Sequence, residues 1–420
     1  MCNVLEIASR KYPKTRQTCK SGTIDRLDTT LSYDDFYSLY LLPNKPCIFE
    51  ARITENWPCR KLWNVDGEPD FDFFDFFSKN RPCTVPVVDC DKKYYNSQFK
   101  MDMKMEDYLS YWRGHGNKVL PEVTEVLYLK DWHCKKQFPN TPTYETPHYF
   151  SSDWLNEYYT ANSDLDDDYM FVYMGPKGTW TPLHVDVLTS YSWSANIVGR
   201  KRWLLYPPGQ EDFLRDTSGQ LIYDSTSKDL SNTEKYKAYD KRIVKCIDII
   251  QEAGEIIFIP SGWHHQVWNL EDAISVNHNW INACNIVIVW QGLKKELAAV
   301  MREVEDCQDM PDWNSHCQLM LRTSYGLDYV QFFDFISFIA HERLRIISDR
   351  EHDIPCSKKC NFSLNHCLFD LDAIRIVLMD LITEADAKCI YAIVCPKQEA
   401  HKLLNKIISL LQLQYSRDNV

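Results

Sequence analysis

The sequence lacks an excess of basic residues, a long apolar run and a dense set of paired cysteines. Of its 420 residues, 47 are Lys or Arg and 59 are Asp or Glu, so the formal net charge is −12 at pH 7. Binding to nucleic-acid phosphates requires a concentrated basic surface. We therefore do not expect nucleic acid as the main partner, whereas a protein substrate is compatible with this charge.

No window approaches the roughly 18 consecutive apolar residues that a membrane-spanning helix needs. The basic residues in MCNVLEIASRKYPKTRQTCK at the start of the chain are not followed by the apolar segment of a secretory signal. The 16 cysteines are scattered rather than grouped in a disulfide framework. These absences predict a cytoplasmic protein with reduced thiols and no membrane segment.

One cysteine-rich stretch, CSKKCNFSLNHC, is a candidate zinc site formed by Cys356, Cys360, His366 and Cys367. The stretch lacks the paired C-x2-C spacing that is typical of zinc ribbons. We therefore favour reduced thiols over a metal site at this position.

The pattern of apolar residues divides the chain into three regions. Residues 1–140 mix helical and strand patterns, among them a predicted helix at 71–80, FDFFDFFSKN. Residues 141–297 consist of short β-branched and aromatic runs separated by turn residues, which is typical of a sandwich or barrel. Residues 298–420 carry apolar residues at three- and four-residue spacing, which predicts helices. These helices either cover the barrel or form a homodimer interface.

The first candidate metal ligands lie in the stretch TWTPLHVDVLTS at 179–190. Side chains alternate between the faces of an extended strand, so His184 and Asp186 point the same way and could share one ion. A His-x-Asp triplet is also common by chance, and the alternative is a surface ion pair. A third ligand from elsewhere in the chain is needed to decide between the two interpretations.

Two histidines in WHHQVWNL are candidates for that third ligand. A strand over 263–268 places His265 on the same face as Trp263 and Val267, which predicts that His265 points inward. His264 lies on the other face, beside the site or at the surface. Two imidazoles and one carboxylate suit Fe(II) and leave open positions for a cosubstrate and dioxygen. Zinc accepts the same ligands, but a zinc hydrolase also needs a general base, and no motif supplies one.

Two further runs carry polar side chains that alternate with apolar ones. In GRKRWLLYPPG, Lys201 lies on an apolar strand face, where a lysine is costly to bury unless it meets an anion. The alternative is an ammonium group that reaches solvent. In AISVNHNW, one face is polar, and that face is either solvated or lines a cavity. The polar residues of this face are Ser275, Asn277 and Asn279.

The motifs HVD, GRKRWLLYPPG, IPSGWHHQVWNL and NHNW, in this order, resemble the JmjC family of Fe(II)- and 2-oxoglutarate-dependent oxygenases. The resemblance implies an α+β fold with a double-stranded β-helix, a cupin-type jelly roll, at 141–297. N-terminal α/β elements at 1–140 and a helical C-terminal region at 298–420 would flank this core. The resemblance also implies Fe(II), 2-oxoglutarate and dioxygen, with His184, Asp186 and His265 as the iron ligands.

The same resemblance assigns residues around the cosubstrate. Lys201 matches the lysine that holds the distal carboxylate of 2-oxoglutarate, and Thr181 matches a hydroxyl that assists it. Strict alternation places Thr181 and His184 on opposite faces, so this assignment requires an irregular backbone near Pro182. Asn279 matches a polar residue near the cosubstrate in related hydroxylases. Ser194 falls at the position of an asparagine in some relatives, so Ser194 or Asn196 is the candidate there. Tyr173 either reaches the pocket or packs in the core.

Further stretches, including YLKDWH, YFSSDWLNEY and MPDWNSHCQ, resemble a member of this family that hydroxylates a lysine of the eukaryotic translation termination factor. The resemblance therefore implies a protein-lysine hydroxylase that acts on this factor. One alternative is N-methyl-lysine demethylation, although many JmjC demethylases have Glu at the position of Asp186. The other is a non-catalytic interaction module, although the chain retains the three iron ligands and Lys201.

Overall fold

The computed structural model describes residues 4–8, 23–116, 125–165, 168–352, 362–387 and 397–418. Its strands form a nine-stranded sheet, a four-stranded sheet and a two-stranded pair. The strands are β1 (Asp25–Leu27), β2 (Cys47–Phe49), β3 (Asn64–Val65), β4 (Glu68–Pro69), β5 (Thr84–Tyr94), β6 (Ser97–Lys104), β7 (Leu127–Trp132), β8 (Met170–Gly175), β9 (Trp180–His184), β10 (Tyr191–Val198), β11 (Lys201–Tyr206), β12 (Ile247–Gln251), β13 (Ile256–Ile259), β14 (His264–Asn269) and β15 (Ala273–Trp280).

Helices flank these sheets, and the longest of them lie after residue 285. The helix predicted at 71–80 is present, and the Asp70 side chain begins it by accepting a hydrogen bond from the Phe73 amide. The α-helices are α1 (Tyr33–Phe36), α2 (Pro58–Leu62), α3 (Phe71–Asn80), α4 (Met105–Gly116), α5 (Cys134–Gln137), α6 (Trp154–Ala161), α7 (Ile286–Glu303), α8 (Trp313–Tyr325), α9 (Tyr329–Glu351), α10 (Leu364–Ala387) and α11 (Lys397–Asp418).

The strands from β8 to β15 form a jelly roll. The larger sheet contains β13, β10, β15 and β8 as neighbours, and the smaller sheet has the order β12-β11-β14-β9. The chain therefore crosses from one sheet to the other at nearly every connection, and only β11 and β12 follow one another within the same sheet. This topology confirms the predicted double-stranded β-helix.

Strands from the N-terminal part of the chain extend the larger sheet on both sides. β2 pairs with β13 and carries β1 at one edge, while β7 pairs with β8 and carries β5 and β6 at the other edge. Strands from before and after residue 140 therefore share one sheet. The division of the chain at residues 140 and 297 stays a prediction.

The two central strands of the larger sheet, β10 and β15, are buried along their whole length. On β10 the apolar residues Tyr191, Trp193 and Ala195 belong to the main core, which also includes residues of α7, α9 and α10. The intervening Ser192 and Ser194 point to the other side, into the space between the sheets. Because helices cover the outer face, the polar residues of these strands face the interior of the barrel.

The helices after residue 285 pack against one another and against the barrel. α7 contacts α8 and α10, and α9 contacts α6 and α10. Within the ranges that the structure describes, none of the helices combines the length and the hydropathy required to cross a membrane.

Candidate active site

A cavity lies between the two sheets of the jelly roll and contains about 490 Å³ of space free of protein atoms. Strands of both sheets contribute polar side chains to its wall, including the three predicted metal ligands and Lys201. An apolar cluster with Trp203, Leu205 and Trp263 fills the neighbouring part of the interior. The cavity is therefore a polar pocket inside an otherwise apolar barrel.

His184, Asp186 and His265 converge on one side of this cavity. One potential ligand atom from each residue lies within 4.8 Å of the other two. The centroids of the two imidazole rings are 4.2 Å apart, and His265 Nε2 is 3.9 Å from Asp186 Oδ1. Among the described residues, these three side chains form the group that could hold a metal ion. The structure thus brings together the three residues that were selected as candidate ligands.

Backbone carbonyl groups orient both histidine rings. A carbonyl oxygen only accepts hydrogen bonds, so His184 Nδ1–H donates to Pro182 O at 2.7 Å and His265 Nδ1–H donates to Trp263 O at 3.1 Å. The Nε2 atom of each ring therefore carries its lone pair toward the cavity. Burial, together with the charges of His265 and Lys130, holds the pKa of His184 well below its usual value. This favours the neutral imidazole that a metal requires.

Asp186 does not lie on the strand as predicted, because β9 ends at His184. Asp186 keeps an extended backbone, with φ −61° and ψ 149°, and precedes a short 3-10 helix at Val187–Thr189. Ser192 Oγ–H on β10 donates to Asp186 Oδ2 at 2.6 Å. This contact orients the carboxylate and leaves Oδ1 on the side of His265. The predicted common direction of His184 and Asp186 is therefore correct, although the strand is shorter.

An irregularity in β9 brings Thr181 into the same cavity as His184. His265 pairs with His184 and Val267 pairs with Thr181, so β9 contains one residue more than β14 between these pairs. Such a bulge reverses the alternation of side chains on the longer strand. Thr181 and His184 both line the cavity as a result. The irregular backbone that the assignment of Thr181 requires is present.

Lys201 is buried, and its side chain is 2% exposed. Its ammonium donates to Ser275 Oγ at 2.9 Å and to Tyr128 Oη at 3.3 Å. Among the residues described, no carboxylate forms an ion pair with it. Burial, reinforced by the charge of Lys130, lowers the pKa of Lys201 to about 7. A buried amine whose partners, among the described residues, are hydroxyl groups rather than carboxylates fits an anionic ligand.

The other predicted cosubstrate residues fall on the cavity wall, with one exception. Asn279 lines the cavity and donates to Ser190 Oγ, and Tyr173 lines it and donates to Asp131 Oδ1 at 3.1 Å. Ser194 also lines the cavity, whereas Asn196 does not, because its Nδ2 donates to the carbonyl of Gly199 in the turn after β10. Ser194 is therefore the better candidate at the position of the family asparagine.

The remaining candidates lie away from the cavity. His264 is on the opposite face of β14, where it is buried rather than at the surface, with Nδ1 3.9 Å from Glu211. In the proposed zinc cluster, Cys356 and Cys360 fall outside the described residues. His366 and Cys367 are buried in α10, and His366 Nε2 lies 3.1 Å from the Tyr33 hydroxyl.

Two cavity residues on β7, Tyr128 and Lys130, were not selected from the sequence. The sequence pattern that could have identified them is the alternation in LYLK at 127–130. Leu127 and Leu129 are buried in the main core, and the intervening residues point the other way. Ser192 was missed on β10 although YSWSANIV alternates in the same manner. On β10 the polar face belongs to a strand that is buried on both sides, whereas on β7 Lys130 is only partly buried.

Several polar atoms of the wall suit a bound metal and an oxygen-rich ligand. Ser194 Oγ and Asn277 Oδ1 are buried and have no hydrogen-bond partner among the described residues. Unpaired polar atoms in a buried cavity are costly unless a ligand or water satisfies them. Together with two neutral imidazoles and a carboxylate, this donor set fits Fe(II) and a dicarboxylate cosubstrate.

Comparisons with known proteins agree with this geometry. A family model described as a cupin-like domain matches residues 34–286. The chain is 45% identical over 394 residues to the chicken (Gallus gallus) protein named 2-oxoglutarate and iron-dependent oxygenase JMJD4, covering 91% of this chain and 92% of the relative. The human (Homo sapiens) protein of the same name is 42% identical over 84% of each chain. The Arabidopsis thaliana protein named arginine-specific demethylase JMJ20 is 38% identical, over 86% of this chain and 80% of the relative.

Proposed function

The chain belongs to the cupin-like JmjC family of 2-oxoglutarate- and iron-dependent oxygenases, and from this premise we propose that it hydroxylates a lysine side chain of the eukaryotic translation termination factor. The observation that supports this chemistry is the presence, in one cavity, of a His-Asp-His group and a buried lysine without a carboxylate partner among the described residues. The choice of substrate rests on the resemblance of YLKDWH, YFSSDWLNEY and MPDWNSHCQ to a family member with that substrate.

We assign the metal to His184, Asp186 and His265. The two Nε2 atoms and Asp186 Oδ1 are the atoms that the hydrogen bonds of these side chains leave free. When bound, Fe(II) with 2-oxoglutarate and dioxygen supplies the oxidising power that inserts oxygen into a substrate C–H bond. The protein contributes position, because carbonyl groups and Ser192 hold all three side chains before the metal binds.

We assign the far carboxylate of 2-oxoglutarate to Lys201. The protonated amine would pair with it, and the Tyr128 hydroxyl, 3.3 Å from the amine, and Thr181 on the same wall would add hydrogen bonds. Ser194 and Asn279 lie on the β10 and β15 side of the cavity, where they could contact the other end of the cosubstrate. Lys201, Ser194 and Asn279 are buried, which shields the cosubstrate end of the cavity from bulk water.

The test is anaerobic reconstitution with Fe(II) and 2-oxoglutarate, followed by air and a fragment of the termination factor. We expect succinate formation and one added oxygen on a lysine in mass spectrometry. His184→Ala should abolish both, whereas His401→Ala, at a partly exposed position of α11 outside the cavity, is the matched control and should change neither. Turnover that survives in His184→Ala would contradict the metal assignment, and succinate without lysine oxidation would contradict the substrate.

A second candidate function is demethylation of a methylated arginine, because one relative that matches most of the chain is named an arginine-specific demethylase. The same cavity would serve, since oxidation of an N-methyl group uses the same metal and cosubstrate. Release of formaldehyde from a methylarginine peptide, at a rate matched by succinate formation, would favour this function over lysine hydroxylation.

We also propose a cytoplasmic location and a homodimer. A protein that modifies a translation factor is expected in the cytoplasm, where translation takes place. A homodimer through the helices after residue 298 is supported by exposed apolar side chains on α11, such as Leu413 and Tyr415. Light scattering that reports a monomer at micromolar concentration would contradict the homodimer.

A further inference from the structure

A second lysine, Lys130, lines the same cavity as Lys201. Tyr128 and Lys130 lie two residues apart on β7, so their Cα atoms are separated by about 6.6 Å along the strand. Tyr128 contacts the Lys201 ammonium, which places it at the end of the cavity assigned to the far carboxylate. Lys130 therefore adds a second amine farther along the β7 side of the cavity.

The backbone of β7 keeps Lys130 apart from the neighbouring carboxylate. Leu129 pairs with Met174 and Trp132 pairs with Val172, so Lys130 and Asp131 form a bulge, and Asp131 has a left-handed φ of 63°. The Asp131 carboxylate accepts from the Tyr173 hydroxyl and forms an ion pair with Lys100 at 3.2 Å. Among the described residues, the Lys130 ammonium makes neither a hydrogen bond nor an ion pair.

The charge of Lys130 acts on both ends of the cavity. Burial lowers the pKa of Lys201 at one end and of His184 at the other, and the charge of Lys130 adds to both shifts. Burial lowers the pKa of Lys130 itself, and the nearby charges of Asp131 and Asp186 oppose this shift. The amine thus lies within electrostatic reach of the far-carboxylate site and of the metal ligands.

We propose that Lys130 is a second cosubstrate-binding residue, which pairs with the carboxylate beside the 2-oxo group while Lys201 pairs with the distal one. This inference rests on the proposed function and extends it to a residue of β7. The two amines, Lys201 on β11 and Lys130 on β7, match the two carboxylates of 2-oxoglutarate in number. A half-buried amine with neither a hydrogen-bond nor an ion-pair partner among the described residues gains a charge-assisted hydrogen bond when that carboxylate binds.

Binding to the Mn(II)-loaded protein tests the proposal without turnover, with water-proton relaxation as the readout. The ligands are 2-oxoglutarate and 2-oxobutanoate, which keeps the 2-oxo acid but lacks the distal carboxylate. Lys130→Met should weaken both ligands at least tenfold, and Lys130→Arg should restore most of the loss. Lys201→Met should weaken only 2-oxoglutarate. Lys104→Met removes an exposed charge of β6 outside the cavity and should change neither affinity.

Three outcomes separate the possibilities. Wild-type affinity of Lys130→Met for both ligands would overturn the proposal and leave the proposed function intact. A loss confined to 2-oxoglutarate would also overturn it, because Lys130 would then act at the distal carboxylate. Failure of the wild-type protein to bind 2-oxoglutarate would contradict the proposed function itself. Thermal unfolding and Mn(II) stoichiometry of each variant establish that the variant is folded.

Discussion

A buried cationic side chain among the helices is paired with carboxylates, whereas a buried cationic side chain in the barrel has hydroxyl partners. Among the helices, the fully buried Arg343 of α9 forms two hydrogen bonds of 2.6 Å with Glu157 of α6 and a third with Asp370 of α10. In the barrel, Lys201 is also buried, and its hydrogen-bond partners among the described residues are the hydroxyl groups of Ser275 and Tyr128.

The difference distinguishes a charged side chain that stabilises the fold from one that binds a ligand. A buried guanidinium with two carboxylates is satisfied within the protein, and it links three helices. A buried amine without an anion raises the free energy of the folded protein until a ligand supplies the opposite charge. Removal of the first should therefore destabilise the fold, whereas removal of the second should stabilise the fold and impair ligand binding.

The largest expected effect is on stability. Arg343→Met leaves the buried Asp370 and the partly buried Glu157 without their cation, and we expect a loss of about 3–5 kcal/mol in the free energy of unfolding. Urea denaturation measures this loss. The matched control is Arg345→Met on the same helix, because Arg345 pairs with Glu342 and Asp349 at the surface and should cost less than about 1 kcal/mol. Equal losses for both variants would remove the distinction.

The next effect separates binding from stability. Lys201→Met should weaken 2-oxoglutarate binding by at least tenfold, about 1.4 kcal/mol, while the metal-free protein becomes more stable because an unpaired buried charge is gone. Calorimetric titration of the Mn(II)-loaded protein and urea denaturation of the metal-free protein measure the two quantities. If Lys201→Met destabilises the protein as Arg343→Met does, the amine has a structural role that the cavity does not explain.

The gain in stability should depend on pH with a definite sign. Burial lowers the pKa of Lys201 from 10.5 to about 7, so between these pH values the Lys201 side chain binds more protons in the unfolded chain than in the folded protein. The contribution of Lys201 to the free energy of unfolding therefore rises with pH between 7 and 10.5, and the penalty of its buried charge is fully present below pH 7. The advantage of Lys201→Met should accordingly shrink as the pH is raised.

The smallest expected effect is a proton taken up on binding. A bound carboxylate raises the pKa of Lys201 again, so binding of 2-oxoglutarate at pH 8 should take up as much as one proton. Titration calorimetry in buffers with different ionisation enthalpies measures the number. The number of protons taken up should fall in Lys201→Met. We attribute the protons still taken up to Lys130, because burial also lowers the pKa of that amine. An unchanged number in both lysine variants would mean that neither amine titrates on binding.

Much of the fold followed from local patterns that tertiary contacts do not override. The alternation in AISVNHNW and KRWLLY and the turn residues between the runs predicted strands at the positions of β15 and β11. Helical spacing predicted α3 and the helices after residue 298, among them α9, α10 and α11. The order of β1, β2, β5 and β7 beside the barrel was not predictable, because pairing between distant strands depends on packing and leaves no local pattern.

The site shows the same division between local pattern and tertiary structure. The sequence alone determined that His265 and not His264 points inward, because side chains alternate on a strand. It left open whether the polar face of β15 was solvated, and only the layer of helices outside the sheet decided that this face lines a cavity. The presence of Thr181 beside His184, and of Lys130 apart from Asp131, required bulges. A bulge arises from the register of two strands that are far apart in the sequence, so only the tertiary structure could place these residues.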